Sequence, residues 1–227
     1  SIIDYLKIDQ NERPVTVLPM HYTYGLSVIN THLASGATLL LTDNTIMQKE
    51  FWSFLVDHKA TSFSGVPYTY QMLDRLRFER RSLPELKTLT QAGGHLSKEL
   101  QLKFSNYAKR EGKNFVVMYG QAEATARISY LPADMTLRKI GSIGIAIPRT
   151  ELLLEGEHGE KINSPNTEGE LICKGEHVTL GYAECVDDLN KGDERHGVLH
   201  TGDLAYFDED GYFYKKKKKN RFLKLFG

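Results

Sequence analysis

Apolar positions in the first 138 residues fall into two rhythms. Short continuous runs at 15–18, 37–42, 61–64, 86–90 and 115–118 have the length and β-leaning composition of buried strands. Between them, apolar residues recur at helical spacing over 25–33, over 47–58 with Phe51, Phe54 and Leu55, and over 67–76, which Pro67 opens. A further helix begins after Ser97 and carries Leu100, Phe104 and Tyr107. Ser97 is placed to cap it, because a serine oxygen satisfies an amide that the first helical turn leaves unpaired. Strand and helix in alternation predict βαβ units and a mainly parallel sheet, an α/β fold.

Beyond residue 138 the texture changes. Gly, Pro, Asn and Asp recur at close intervals between short β segments at 151–154, 170–174, 204–207 and 211–214. This pattern predicts a smaller β-rich subdomain over residues 139–213, an antiparallel sheet or distorted barrel, after an α/β part over residues 1–138. Asp208-Glu209-Asp210-Gly211 reads as a hairpin turn, since glycine accepts positive φ and aspartate bonds its own backbone.

Composition narrows the function classes. The 227 residues carry 29 Lys+Arg and 29 Asp+Glu, a formal net charge of zero, so no global basic excess faces a nucleic-acid backbone, and no nucleic-acid partner is expected. With 41% hydrophobic residues, disorder is not expected either. The longest apolar runs, such as 37–41, fall far short of the ~20 residues of a membrane-spanning helix. The N-terminus has no basic segment or small-residue cleavage site, and Cys173 and Cys185 form no Cys-x-x-Cys pair. A cytoplasmic location is the expectation.

Four segments carry candidate chemistry. Met118-Tyr119-Gly120-Gln121-Ala122-Glu123 follows an apolar strand, and strand ends are where α/β sheets bind ligands. Gly120 lets backbone approach a ligand, Tyr119 offers a face for stacking, and Glu123 is a hard oxygen donor suited to Mg²⁺. In His200-Thr201-Gly202-Asp203, a carboxylate beside a glycine turn can accept two hydrogen bonds from the vicinal hydroxyls of a ribose. Segments 91–97, with Ala92-Gly93-Gly94, and 141–148 bring glycines where a flat ligand needs close backbone approach. Taken singly, each string also fits an ordinary turn.

Together and in this order, the segments resemble the adenylate-forming (AMP-binding) superfamily of acyl and aryl acid ligases, which includes acyl-CoA synthetases, luciferases and peptide-synthetase adenylation domains. Tyr119-Gly120-Gln121-Ala122-Glu123 is similar to its Tyr-Gly-x-Thr-Glu, Thr201-Gly202-Asp203 to its Thr-Gly-Asp, and 141–148 to its Gly-Ser-x-Gly-x-x-x-Pro. The resemblance implies that a carboxylate and ATP give an acyl-adenylate and pyrophosphate, after which the acyl group passes to the thiol of CoA or of a carrier protein's phosphopantetheine. It implies that Tyr119 stacks on adenine, that Gly93 and Gly94 pass along the base, and that Gly120, Gln121 and Ala122 belong to the same nucleotide site. The resemblance further implies that Asp203 grips the ribose, that Glu123 holds Mg²⁺ as a catalytic group, and that His21, Tyr22, Gly25 and Ala92 line the pocket of a small or medium carboxylic acid.

The chain departs from that pattern in four ways. The family's phosphate loop with its lysine does not occur within the chain, which also lacks an initiator Met. The family's small C-terminal domain begins where the chain stops. The resemblance therefore implies a central fragment of the large N-terminal domain, inactive alone, with residues 214–227 as the hinge and start of the next domain. Ala122 replaces a threonine whose hydroxyl would bond phosphate; losing a hydrogen bond to a charged group costs roughly 1.5–3 kcal/mol, about ten- to a hundredfold in affinity. Residues 215–219, all lysine, replace an apolar strand end and a Gly-Arg pair, with Lys218 at the catalytic arginine position and Asn220 at the hinge. That run also reads as a solvated basic stretch. Arg127 fits either a second carboxylate on the acid or a structural salt bridge. Three function classes are in play: an AMP-forming acid–thiol ligase, a degenerate non-catalytic nucleotide or acyl binder of the same fold, and a dinucleotide-dependent oxidoreductase. The last is disfavoured because no Gly-x-Gly-x-x-Gly follows an early strand.

Overall fold

Four parallel strands lie side by side in the order of the sequence: β1 (Pro14–Thr16), β2 (Ser62–Gly65), β3 (Thr88–Gln91) and β4 (Asn114–Tyr119). The computed structural model describes residues 1–216. Helices cover both faces of this sheet, as parallel strands require. On one face, α1 (Ile2–Leu6) and α2 (Thr23–Ala34) sit over the sheet. On the other, α3 (Lys49–Asp57), α4 (Pro67–Arg75) and α5 (Lys98–Arg110) bury Phe51, Leu55, Tyr70, Leu73 and Phe104 against Phe63, Leu89 and Phe115 of the strands. Strand periodicity then turns Ser62, Ser64, Thr88 and Thr90 toward α2, which gives that side of the sheet an unusual density of hydroxyls.

Local signals account for the helix ends. Pro67 occupies the first turn of α4, and the Ser97 hydroxyl accepts the Leu100 amide at 3.3 Å. The strand expected at 37–42 does not form: among the described residues it makes one isolated parallel bridge, Leu40 to Val15, and a backbone hydrogen bond from Thr38 to Glu12. Ala37 and Leu40 are buried but Leu41 is 60% exposed, so this apolar run is not immersed on both faces as a central strand would be.

After β4 the sheet continues antiparallel through β5 (Ser129–Leu131) and β6 (Ile145–Ala146). A second, wholly antiparallel sheet contains β7 (Glu151–Glu155), β8 (Lys161–Ile162), β9 (Gly169–Lys174), β10 (Val198–Phe207) and β11 (Phe213–Lys215), in the order β11-β10-β9-β7-β8. The turn at 208–211 connects β10 to β11 as expected, with Asp208 Oδ1 accepting the Asp210 and Tyr212 amides at 3.1 and 2.9 Å. Strand β10 is longer than the predicted 204–207, and its register against β9 shifts between His200 and Leu204. The Thr201-Gly202-Asp203 motif occupies that irregularity, a common device for re-aiming a side chain toward a site.

The two sheets meet edge to edge. Gly144 bridges Phe213, the Phe213 carbonyl accepts the Ile143 amide at 2.9 Å and the Ser142 hydroxyl at 2.7 Å, and Lys139 Nζ reaches Asp208 Oδ2 at 2.8 Å. Gly144 has φ +88°, and a Cβ there would collide with the Tyr130 carbonyl. Among the described residues no helix is long and apolar enough to cross a membrane.

Candidate functional site

A cavity of about 440 Å³ opens at the carboxyl ends of β3 and β4, where the chain passes from the first sheet to the second. The turn after β3 forms one wall. Gln91 Nε2 donates to the Ala92 and Gly94 carbonyls at 3.2 and 3.1 Å, and Gly93, with φ +77°, sits beside the Tyr22 hydroxyl. The opposite wall is Tyr119 with Gly120 and Gln121, and the loop at Gly141, Ser142 and Ile143 closes a third side.

Asp203 anchors the polar end. Its carboxylate, 5% exposed, receives the Tyr119 hydroxyl at 2.8 Å, Gln121 Nε2 at 3.3 Å and Lys215 Nζ at 2.8 Å, all on Oδ2. Gln121 Nε2 also donates to the Thr201 carbonyl at 2.9 Å, so one amide ties the loop after β4 to the irregular centre of β10. Burial, reinforced by the Asp203 charge, pushes the Tyr119 phenol far above its ordinary value. Tyr119 is accordingly a neutral donor at any physiological pH. Lys215 Nζ stands 5.4 Å from the centroid of the Tyr119 ring as well as on Asp203.

Glu123 faces a neighbouring pocket of about 620 Å³, which shares Gln121 with the first. It lies in a short 3-10 turn, and its Oε1 accepts the Tyr182 hydroxyl, which holds the carboxyl below its ordinary value. Arg195 stacks 4.6 Å from the Tyr182 ring centroid. The chain then doubles back sharply: Thr125 and Ala126 both have positive φ, 54° and 72°, and the Ile128 amide returns to the Tyr119 carbonyl at 2.9 Å. Such strained backbone costs of order 1–3 kcal/mol per residue and clusters at ligand sites. Ala122 borders neither pocket.

The structure thus brings together Gly93, Gly94, Tyr119, Gly120, Gln121, Asp203 and Tyr22, and sets Glu123 one wall away. His21 lines a separate groove of about 910 Å³ that Tyr22 shares. Gly25 is packed in the first turn of α2 against Pro19, and Ala92 is buried at 2% exposure. Lys218, Asn220 and most of 214–227 lie outside the described residues. Lys215 is the site residue that sequence reasoning missed. The strand expected at 211–214 stops one residue short of it, and within a lysine run its inward direction leaves no local signal.

The cavity suits a purine nucleoside in chemistry and size: an aromatic face, a wall of backbone, a carboxylate, and a volume within the roughly 300–1,000 Å³ of small-molecule sites. No group of three or more His, Cys, Asp or Glu gathers among the described residues. A single Glu123 carboxylate fits Mg²⁺, which is commonly held by one or two carboxylates together with substrate phosphates.

Residues 2–183 match the family model for AMP-binding enzymes. An oxalate–CoA ligase of Arabidopsis thaliana is 29% identical over 213 residues, covering 92% of this chain and 40% of that protein. A long-chain-fatty-acid–CoA ligase of Bacillus subtilis is 30% identical over 215 residues, 92% of this chain and 36% of that protein. The o-succinylbenzoate coenzyme A synthetase of Bacillus subtilis, solved in complex with ATP and a magnesium ion, shares the fold with a TM-score of 0.79 at 24% identity, over 94% of this chain and 43% of that one. The chain spans about two fifths of the length of these relatives.

Proposed function

Because the chain belongs to the AMP-binding enzyme family, we propose that the protein containing it is an ATP-dependent, AMP-forming acid–thiol ligase. It activates a small carboxylic acid and passes the acyl group to CoA or a carrier pantetheine. The observation that carries this reading is the convergence of Tyr119, Gln121 and Asp203 in one cavity at the ends of parallel strands. The similarity to two CoA ligases and to a fold solved with ATP and magnesium supports it.

In this proposal the Tyr119 ring stacks on adenine while Gly93 and Gly94 flank the base. Asp203 accepts the ribose hydroxyls, with Gln121 fixing the orientation of its carboxylate. Glu123 holds Mg²⁺, which neutralises phosphate charge when bound. His21 and Tyr22 lie on the side of the acid, where Tyr22 borders both the cavity and the adjacent groove. Lys218 is the second catalytic candidate. Catalysis of this kind is positioning and charge neutralisation, and calls for no covalent nucleophile. The proposed location is the cytoplasm, where the free thiols of Cys173 and Cys185 are stable.

Two observations favour a second reading, a non-catalytic nucleotide binder of the same fold. Ala122 offers no hydroxyl, and Lys215 already engages Asp203. Acid-dependent exchange of pyrophosphate into ATP by the full-length protein separates the two. The ligase reading expects exchange with some carboxylic acid, and a loss of about ten- to a hundredfold in kcat/KM for Asp203→Ala. Nucleotide binding without exchange across a broad acid panel establishes the second reading instead.

A further inference from the structure

Arg127, two residues before the start of β5, is among the largest fully buried side chains, at 2% exposure. An ion in such a place needs a counter-charge or a full set of acceptors, because uncompensated burial is expensive. Among the described residues no carboxylate pairs with it and its acceptors are incomplete: Nη1 donates to the Ala126 carbonyl at 3.2 Å, the Tyr5 hydroxyl oxygen accepts a further hydrogen bond from the side chain, and Nε has no acceptor. The guanidinium lies 4.2 Å from the Tyr24 ring centroid, and Tyr5 stands close enough for its charge to act on the phenol. Burial raises both phenols, that of Tyr5 to about 12 against the opposing pull of Arg127, so neither ionises to balance the cation.

Arg127 forms part of the wall of a chamber of about 20 Å³, whose other sides include the hydroxyl-bearing Ser62, Ser64 and Thr90 on the α2 side of the sheet. Ser62 Oγ is buried there with no partner. The one carboxylate on this wall, Glu12, is engaged by the Thr61 hydroxyl, and His32 is held toward its neutral form by burial. The chamber has room for about one water-sized group, so a carboxylate fits against Arg127 only if the wall gives way. Two contacts link the neighbours of Arg127 to the wall of the 440 Å³ cavity. Tyr22, which lines the cavity, packs edge-on against Tyr24 at 6.4 Å; Met118, which also lines it, accepts the Tyr5 hydroxyl at 3.1 Å.

We propose that Arg127 is the receptor for a second carboxylate on the acid, which makes the protein selective for dicarboxylic acids. The inference deepens the ligase reading and rests on it for the identity of the ligand. A planar guanidinium matches a carboxylate bidentately; here the Nε–H is unpartnered, and the unpartnered Ser62 hydroxyl supplies a further donor. The far end of the acid reaches Arg127 by displacing Tyr24 or Tyr5, the two rings that contact both Arg127 and the cavity wall.

Two measurements on the full-length protein test this. In pyrophosphate exchange, kcat/KM for C3 to C6 dicarboxylic acids should exceed that for their half methyl esters by about ten- to a hundredfold, the effect of a hydrogen bond to a charged group. Arg127→Met should collapse that ratio mainly through KM, and Arg127→Lys should retain part of it. In calorimetric titration without ATP, the same diacids should bind the wild type and lose their heat of binding in Arg127→Met, with formate as the control. Diacid binding that depends on Arg127 in a protein without exchange retires the ligase reading but keeps the receptor. Equal use of diacids and half esters by the wild type overturns the proposal and needs no variant. Formate binding at Arg127 without diacid binding overturns it too, and assigns the chamber to free small anions.

Discussion

Asp203 Oδ2 collects a phenol, an amide and an ammonium, and the ammonium comes from a side chain that is 37% exposed, that of Lys215. A ligand that needs this carboxylate and the face of Tyr119 must first displace Lys215, because the same Nζ sits on the acid and near the ring. Pairs of this exposure are worth roughly 0–1 kcal/mol. Lys215→Ala is therefore expected to tighten adenosine binding by about two- to fivefold in a calorimetric titration. Added salt should raise the affinity of the wild type but leave the variant unchanged. Adenosine is the appropriate probe because it has no phosphate with which the lysine could pair after leaving Asp203. Weaker binding in the variant would mean that Lys215 is a ligand contact and not a competitor.

At the scale of elements, the seam between the sheets depends on Gly144, where positive φ and contact with the Tyr130 carbonyl exclude any side chain. Gly144→Ala should cost about 2–4 kcal/mol and lower Tm by roughly 5–15 °C; a melt within a degree of wild type would show that the loop moves aside at little cost. The same seam marks where legibility in the sequence ends. The parallel strands, the proline-led α4 and the Ser97 cap are readable because each signal is complete within a few residues. Strands β5 and β6, three and two residues long, are too short to show a period. Residues 37–42 have the composition of a strand but only a three-residue neighbour to pair with. In the site, Tyr119, Gly120, Gln121 and Asp203 are readable as motifs. The engagement of Asp203 by Lys215 is not, since it depends on where a hairpin 200 residues into the chain places one lysine. Nor is the burial of Arg127 without an acid partner, because that is a property of what packs around it.

Across the whole molecule, Lys139 ties the end of the first sheet to the β10–β11 turn through Asp208. Burial alone would raise the Asp208 carboxyl, but Lys139, the Tyr212 amide and the Tyr214 hydroxyl outweigh it and hold the group below its ordinary value. A depressed carboxyl stabilises the fold fully above its unfolded value of about 3.9, and that contribution is lost as pH falls through the lower folded value. Asp208→Asn should therefore lower the urea midpoint at pH 7, and the gap from wild type should close as the pH is taken below about 4. A gap that persists unchanged at pH 2.5 would assign the effect to shape and not to charge. The seam has one more consequence. Phe213 is hydrogen-bonded to both sheets, so Lys215, two residues on, hangs from a short fixed tether beside Asp203. Under the proposed function it would act as a competitor supplied by the chain itself, at an effective concentration in the millimolar range or higher however little ligand is present. The apparent Kd of a nucleotide is then its intrinsic value divided by the fraction of molecules in which the lysine stands aside, so affinity measures a tether together with a pocket.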